Sequence, residues 1–309
     1  MFPLWLQEMW WGTLGTVRPF PDFSPDVDAR DLQTALVKKD VATLVRILTN
    51  RNNAQRQKVA EAFQQVSQKD LSSVLKKALS GPLEDLMLAL IMTPAQFDAH
   101  RLRQTMEGMG TDEEGLLEVL CSRTGQQLKD IMVAYKLGKR EETGSRGVKV
   151  VIFQFFSNLC VCPCACMCVK TLAAAISGKK TDSAPWIQIL TTRGPDHLNR
   201  VFLRLEMLKG ETMEKMVQNH FSGDFKLGLR TLVGCIQNTP LYLAQRLHGS
   251  MKKSTIVRGI MVGRSEEDLL CVRREFRKLT NTSLYSTIQK EFKGDLQQAL
   301  LALCRSEDM

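Results

Sequence analysis

Four short segments, VRILTNR, LEVLCSR, IQILTTR and RGIMVGR, end in Arg51, Arg123, Arg193 and Arg264, at separations of 72, 70 and 71 residues. A period of this length constrains a chain of 309 residues more tightly than its composition does, because one supersecondary unit has to be built four times. A second marker runs in step. LSGPLEDLMLAL, FSGDFKLGLRTL and FKGDLQQALLAL place Gly81, Gly223 and Gly294 at separations of 142 and 71, with one copy missing where the second repeat should end.

Apolar residues recur at helical spacing inside each repeat, as in Leu116, Leu117 and Leu120, then Leu128, Ile131, Met132 and Tyr135. Repeat 1 holds about five such patterns between Leu32 and Ile91, joined by short loops. The fold class that follows is all-α, four repeats of about five helices each. The expected boundaries are a head over 1–27, repeat 1 over 28–93, the first three helices of repeat 2 over 94–136, an aberrant Cys-rich segment over 137–175, repeat 3 over 176–238 and repeat 4 over 239–309.

Between Tyr135 and Thr181 the helical pattern lapses. Val150 to Val169 carries no charge, and Cys160, Cys162, Cys164, Cys166 and Cys168 alternate within it. Three readings compete: a membrane span, a soft-metal finger, or sequence that is not native coding. The third is preferred, since the stretch is about 15 residues too short for the helices and linker it replaces, and losing them would expose apolar partner faces. Cys121, Cys235, Cys271 and Cys304 sit in helical patterns and read as reduced core thiols.

The net charge of +9 suits an anionic partner, phospholipid or nucleic acid. The basic residues are spread out and only three Tyr and four Trp offer stacking surface, so no nucleic-acid partner is expected. No phosphate-cradling glycine loop or nucleophile elbow is present, and the four histidines lack metal spacing, so the chain is not expected to be an enzyme. The first residues, MFPLWLQEMWWGTL, lack the basic start and cleavage site of a signal peptide, which implies an intracellular protein.

The stretch GMGTDEEGLLEVLCSRTGQQLKDIMVAY, with ILTNRNNAQRQKVAEAF in repeat 1 and RSEEDLL followed by EFRKLTNTSLYSTI in repeat 4, resembles annexin repeats over 28–136 and 176–304. The head WGTLGTVRPFPDFS and the tail ALLALCRSEDM are most similar to the annexin subfamily conventionally numbered nine, whose calcium sites are degenerate. The resemblance implies a slightly curved disc whose convex-face calcium loops bridge to acidic phospholipid. It also implies a cytoplasmic protein, peripheral at the inner face of the plasma membrane, whose head binds an EF-hand or other protein partner.

Calcium takes six to eight oxygens, which a glycine-rich turn and a distant carboxylate can supply together. In the family the turn reads MKGxGT, with an acid 40 positions after its second glycine. Repeat 2 keeps Met106, Gly108, Gly110 and Thr111, and Thr111 with Glu114 also reads as a capping box. Its acidic position, however, holds Val150. Repeat 1 has Lys38 and Lys39 in the turn and Ala78 at the acidic position; repeat 3 has Lys179 and Lys180 with His220; repeat 4 has Lys252 and Lys253 with the remnant acid Glu291. The resemblance therefore implies calcium at one or two weak sites at most. The six lysines would share the convex face and bind acidic lipid with little or no calcium, the alternative being an annexin-shaped scaffold inert to lipid. Asp98, Glu118, Arg123 and Arg264 match the family's central polar gap and are expected to pair in the interior between repeats.

Overall fold

The apolar spacing of repeat 1 is realised as five helices, α1 (Pro25–Lys38), α2 (Val41–Thr49), α3 (Asn53–Ser67), α4 (Leu71–Ala78) and α5 (Gly81–Ile91). They belong to a computed structural model that describes residues 14–107, 112–137, 165–177 and 181–306. Repeat 2 contributes α6 (Pro94–Gln104), α7 (Glu113–Cys121) and α8 (Gly125–Leu137). Then come α9 (Ala165–Ala175), α10 (Ala184–Thr192), α11 (Pro195–Lys209), α12 (Met213–His220) and the long α13 (Gly223–Ser250). The last four are α14 (Ser254–Arg264), α15 (Leu269–Thr280), α16 (Leu284–Glu291) and α17 (Gly294–Cys304). Among the described residues there is no strand.

The period is written in helix ends as well as in apolar faces. Asp70, Thr212 and Ser283, 142 and 71 residues apart, each cap the N-terminus of the fourth helix of a repeat by accepting a backbone N–H, from Ser73, Lys215 and Ser286. Two residues earlier Gln68, Gly210 and Asn281 close the third helix in the left-handed conformation, at φ of 55, 69 and 57°. The marker glycines Gly81, Gly223 and Gly294 stand at φ of 63, 60 and 66° where the fifth helix begins. Nothing lies within 4 Å of a Cβ placed on any of the three, so the requirement for glycine is torsional rather than steric. In α13 the backbone leaves the helix at Asn238 (φ −159°), two residues before Pro240, and the Asn238 side chain accepts the Leu241 N–H at 3.0 Å. Proline supplies no N–H to continue the ladder, so a new start is needed there.

The helices group into two units. One comprises 1–100 and 243–309, the other 101–242. In the first, α2 packs on α17, and α5 on α14 and α17, around Leu44, Ile47, Leu86, Leu90, Ile260 and Leu303. Buried arginines cross this core. Arg51 is bidentate to Asp28, at 2.6 and 2.8 Å, with both residues buried and the guanidinium over the Phe20 ring. Arg258 reaches Asp85 at 2.5 Å. The end of the head is anchored here too: Leu270 N–H donates to Leu14 O and Val17 N–H to Ser265 O.

In the second unit, α9 packs on α10 and α11 and closes a core that includes Leu172, Trp186, Phe202 and Phe221, with Trp186 edge-on to Phe221 at 5.2 Å. This helix lies inside the stretch expected to be aberrant. Cys168, Val169, Leu172 and Ile176 are buried along it at helical spacing, so repeat 3 begins at Ala165 and not at 176. The helices α9 and α10 start 71 residues after α6 and α7. The stretch 138–164 is one residue longer than 68–93, which holds α4 and α5, so the expected shortfall of about 15 residues is not present. Residues 150–164, including Cys160, Cys162 and Cys164, lie outside the described residues. Among those described, no helix is long and apolar enough to cross a membrane and no group of His, Cys, Asp or Glu is arranged to hold a metal. Cys235, Cys271 and Cys304 are buried and in no disulfide; Cys121 is partly exposed as a residue, yet burial of its sulfur pushes the thiol up to about 12.

Asp28→Ala strands the Arg51 guanidinium in the core and is expected to cost about 3 kcal/mol, measured as a fall in the urea midpoint. Adding Arg51→Met should recover most of that loss, and a double variant as unstable as the single one would show that the pair is not the source.

Candidate membrane-binding turns

Each turn that would hold calcium joins the first two helices of its repeat, and the four differ first in length. Eight residues, 105–112 and 176–183, separate the first two helices of repeats 2 and 3, of which 108–111 and 178–180 lie outside the described residues. Equivalent bonds close them, Asp112 N–H to Thr105 O at 2.7 Å and Asp182 N–H to Ala175 O at 3.0 Å. The turn of repeat 1 is only Lys39 and Asp40, and that of repeat 4 only Met251, Lys252 and Lys253.

The short turn of repeat 1 is a Schellman closure. Lys39 is left-handed at φ 56°, its N–H reaches Leu36 O, and the Asp40 N–H returns to Ala35 O at 2.8 Å. Asp40 then caps α2, accepting the Thr43 N–H at 3.1 Å and its hydroxyl at 2.7 Å, contacts that hold the Asp40 carboxyl below its ordinary value. The carbonyls of this turn are thus engaged locally and cannot converge on an ion. Lys38, Lys39, Lys252 and Lys253 are all exposed, and none forms an ion pair among the described residues.

The acidic positions are structurally equivalent, for Ala78, His220 and Glu291 are the last residues of α4, α12 and α16, each three before a left-handed glycine. In repeat 1 the two halves meet: Val41, directly after the turn, lines one open cleft with Ala78, Leu79 and Pro82. Among its described lining residues only Asp295 is ionisable. A hard cation needs several converging oxygens, so the residues of repeat 1 do not fit calcium. Nor do those of repeat 4, where Glu291 is exposed and the turn presents two ammonium groups. In repeat 2, Met106 follows α6 with its N–H bonded to Arg103 O at 2.9 Å, while Gly108, Gly110 and Thr111 lie outside the described residues, as do Val150, Lys179 and Lys180. The cap of α7 is Asp112, which accepts the Gly115 N–H at 3.0 Å, in place of the expected Thr111. Asp40 at the same place in repeat 1 was the signal for it.

The polar-gap residues Asp98, Glu118, Arg123 and Arg264 are all buried. Two of them have partners within their own repeats: Glu118 accepts from Arg101 at 2.7 Å, and Arg264 bonds Glu267 at 2.7 Å and lies 3.7 Å from Asp268. Arg101 and Glu267 had not been singled out in the sequence. The Trp-rich start of the head, including Trp5 and Trp10, lies outside the described residues.

A helical repeat of about 71 residues, with a turn after its first helix and, in repeats 1, 3 and 4 among the described residues, the family's acidic position at the end of its fourth, is the annexin pattern. The family model described as Annexin matches residues 27–90, 97–139, 168–232 and 242–303, and the chain belongs to the annexin family. It is 37% identical to Annexin A9 of Homo sapiens over 97% of this chain and 92% of that protein, and 36% identical to Annexin A9 of Mus musculus over the same shares. The solved structure of annexin III superposes with a TM-score of 0.86 at 36% identity, covering 97% of this chain and 99% of that one. Annexins in general bind phospholipid in a calcium-dependent way and act as peripheral membrane proteins.

A lysine at left-handed φ is strained, and its side chain here is exposed. Lys39→Gly is therefore expected to raise the stability of the first unit by about 1 kcal/mol, read as a higher thermal midpoint. A fall in the midpoint would mean that the side chain makes a stabilising contact outweighing the strain.

Proposed function

We propose that this annexin binds acidic phospholipid mainly through lysines in its calcium-type turns, at the cytoplasmic face of the plasma membrane, with calcium playing a minor part. The observation that carries this is the contraction of the turns in repeats 1 and 4 to two and three residues, each of which leaves an exposed lysine pair where calcium-coordinating carbonyls would stand. A lysine close to an anionic leaflet contributes about 1 kcal/mol, so four contribute about 4 kcal/mol, roughly a thousandfold in partitioning. Lys179 and Lys180 extend the same set in repeat 3. Calcium is confined to the turn of repeat 2, where Met106, Gly108 and Gly110 supply carbonyls without the usual carboxylate, so its affinity there is weak.

Sedimentation with phosphatidylserine vesicles in EGTA tests this. Binding is expected at low salt and to fade as salt rises, and Lys38, Lys39, Lys252 and Lys253 changed together to Ala should lower it by roughly a hundredfold or more. Calcium added to the wild type should tighten binding only a few-fold. Binding that requires calcium would sink the proposal, and no binding under any condition would favour a protein scaffold inert to lipid.

A further inference from the structure

The outer face of α11 departs from the pattern of its own repeat. Counted back from the left-handed residue that ends the third helix, the seventh and third positions are Glu61 and Gln65 in repeat 1 and Arg274 and Lys278 in repeat 4, all exposed. Repeat 3 places Leu203 and Met207 there, 49% and 84% exposed, with Leu208 next to them at 61%. The helix α9, which packs on α11, adds Met167 at 70%. Single exposed apolar residues are ordinary on a protein surface, whereas a group of them at positions that sister repeats keep polar marks a surface that something covers.

Charge is arranged symmetrically about this apolar centre. Arg200 precedes Leu203 by three residues and Glu211 follows Met207 by four, so Arg200, Leu203 and Met207 share one side of the helix and Glu211 continues the line past its end. Neither Arg200 nor Glu211 forms an ion pair among the described residues. Arg204, a further exposed cation of this face, donates to Cys166 Sγ at 3.5 Å, which draws it towards α9 and leaves the centre apolar. Turned end for end about its centre, the stripe lays Leu203 on Met207 and Arg200 on Glu211. A face that matches itself on reversal is what a two-fold pair of identical subunits requires. An anionic membrane or an acidic helix would answer to Arg200 but would be repelled by the carboxylate at the other end.

We propose that this face pairs with the same face of a second copy of the chain, α11 antiparallel to α11, with Leu203 and Met207 interleaved at the centre. Arg200 of each copy then meets Glu211 of the other. The area covered is small, so the pair is weak and reversible. The lysine turns take no part in it.

Sedimentation velocity of the full chain, without lipid or calcium and from micromolar to submillimolar concentration, tests the pairing. Monomer and dimer in reversible exchange are expected. Leu203→Glu with Met207→Gln, which gives repeat 3 the residues that repeat 1 carries at these positions, should weaken the dimer roughly a hundredfold. Its thermal midpoint should be unchanged, because both side chains are exposed. Arg200→Glu should weaken the dimer roughly tenfold, as two symmetric rim pairs are lost, and adding Glu211→Arg should restore it. A chain that stays monomeric at submillimolar concentration overturns the proposal. So does a dimer that survives the Leu203 and Met207 changes, or an Arg200→Glu loss that Glu211→Arg fails to reverse. A monomeric chain whose binding to phosphatidylserine vesicles is lost on changing Leu203 and Met207 overturns it in favour of a lipid surface.

Discussion

The first unit depends on one enclosed guanidinium. Arg56 in α3 donates from Nε to Leu48 O at 2.7 Å and from Nη1 to Leu90 O at 3.3 Å and to Glu266 at 3.1 Å. It thus reaches the ends of α2 and α5 and a carboxylate of repeat 4. The Glu266 carboxylate also accepts the Asn53 N–H at 2.7 Å, satisfying the first turn of α3. Burial lowers the Arg56 guanidinium to about 10, and the Glu266 charge works against that shift. A charge placed so deeply is tolerated only with partners in fixed positions, so repeats 1 and 4 are held in one register by the need to satisfy it. Glu118 meets the same need in the second unit with Arg101.

Turn length is a harder constraint on calcium than turn composition. A glycine in an eight-residue turn can be replaced and still leave carbonyls free to converge, whereas a Schellman closure uses its backbone groups in ending one helix and starting the next. Repeat 1 has crossed that line and the turn of repeat 4 is nearly as short, so restoring glycines without restoring length would not rebuild a site. Apart from the left-handed backbone of Lys39, exposed lysines cost little there, because no fold requirement competes for their side chains.

Much of the fold was legible because it recurs: period, helix number and marker glycines all repeat at one spacing. The first helix of repeat 3 was missed because the alternating cysteines dominated its pattern, although Cys168, Val169, Leu172 and Ile176 carry an ordinary helical face. The turns were readable as substitutions, but the Schellman closure of repeat 1 was not, since Lys39 gives no sign of a left-handed backbone where glycine is usual.

Gln68, Gly210 and Asn281 have nothing in common as side chains, yet they hold one place in three repeats with nearly one value of φ. What the repeat passes from copy to copy there is the sign of a torsion angle, with residue identity free to drift around it. A comparison based on letters alone scores these positions as unrelated, while the backbone treats them as the same instruction to reverse direction. Kinship among such repeats is therefore deeper in dihedral space than in sequence.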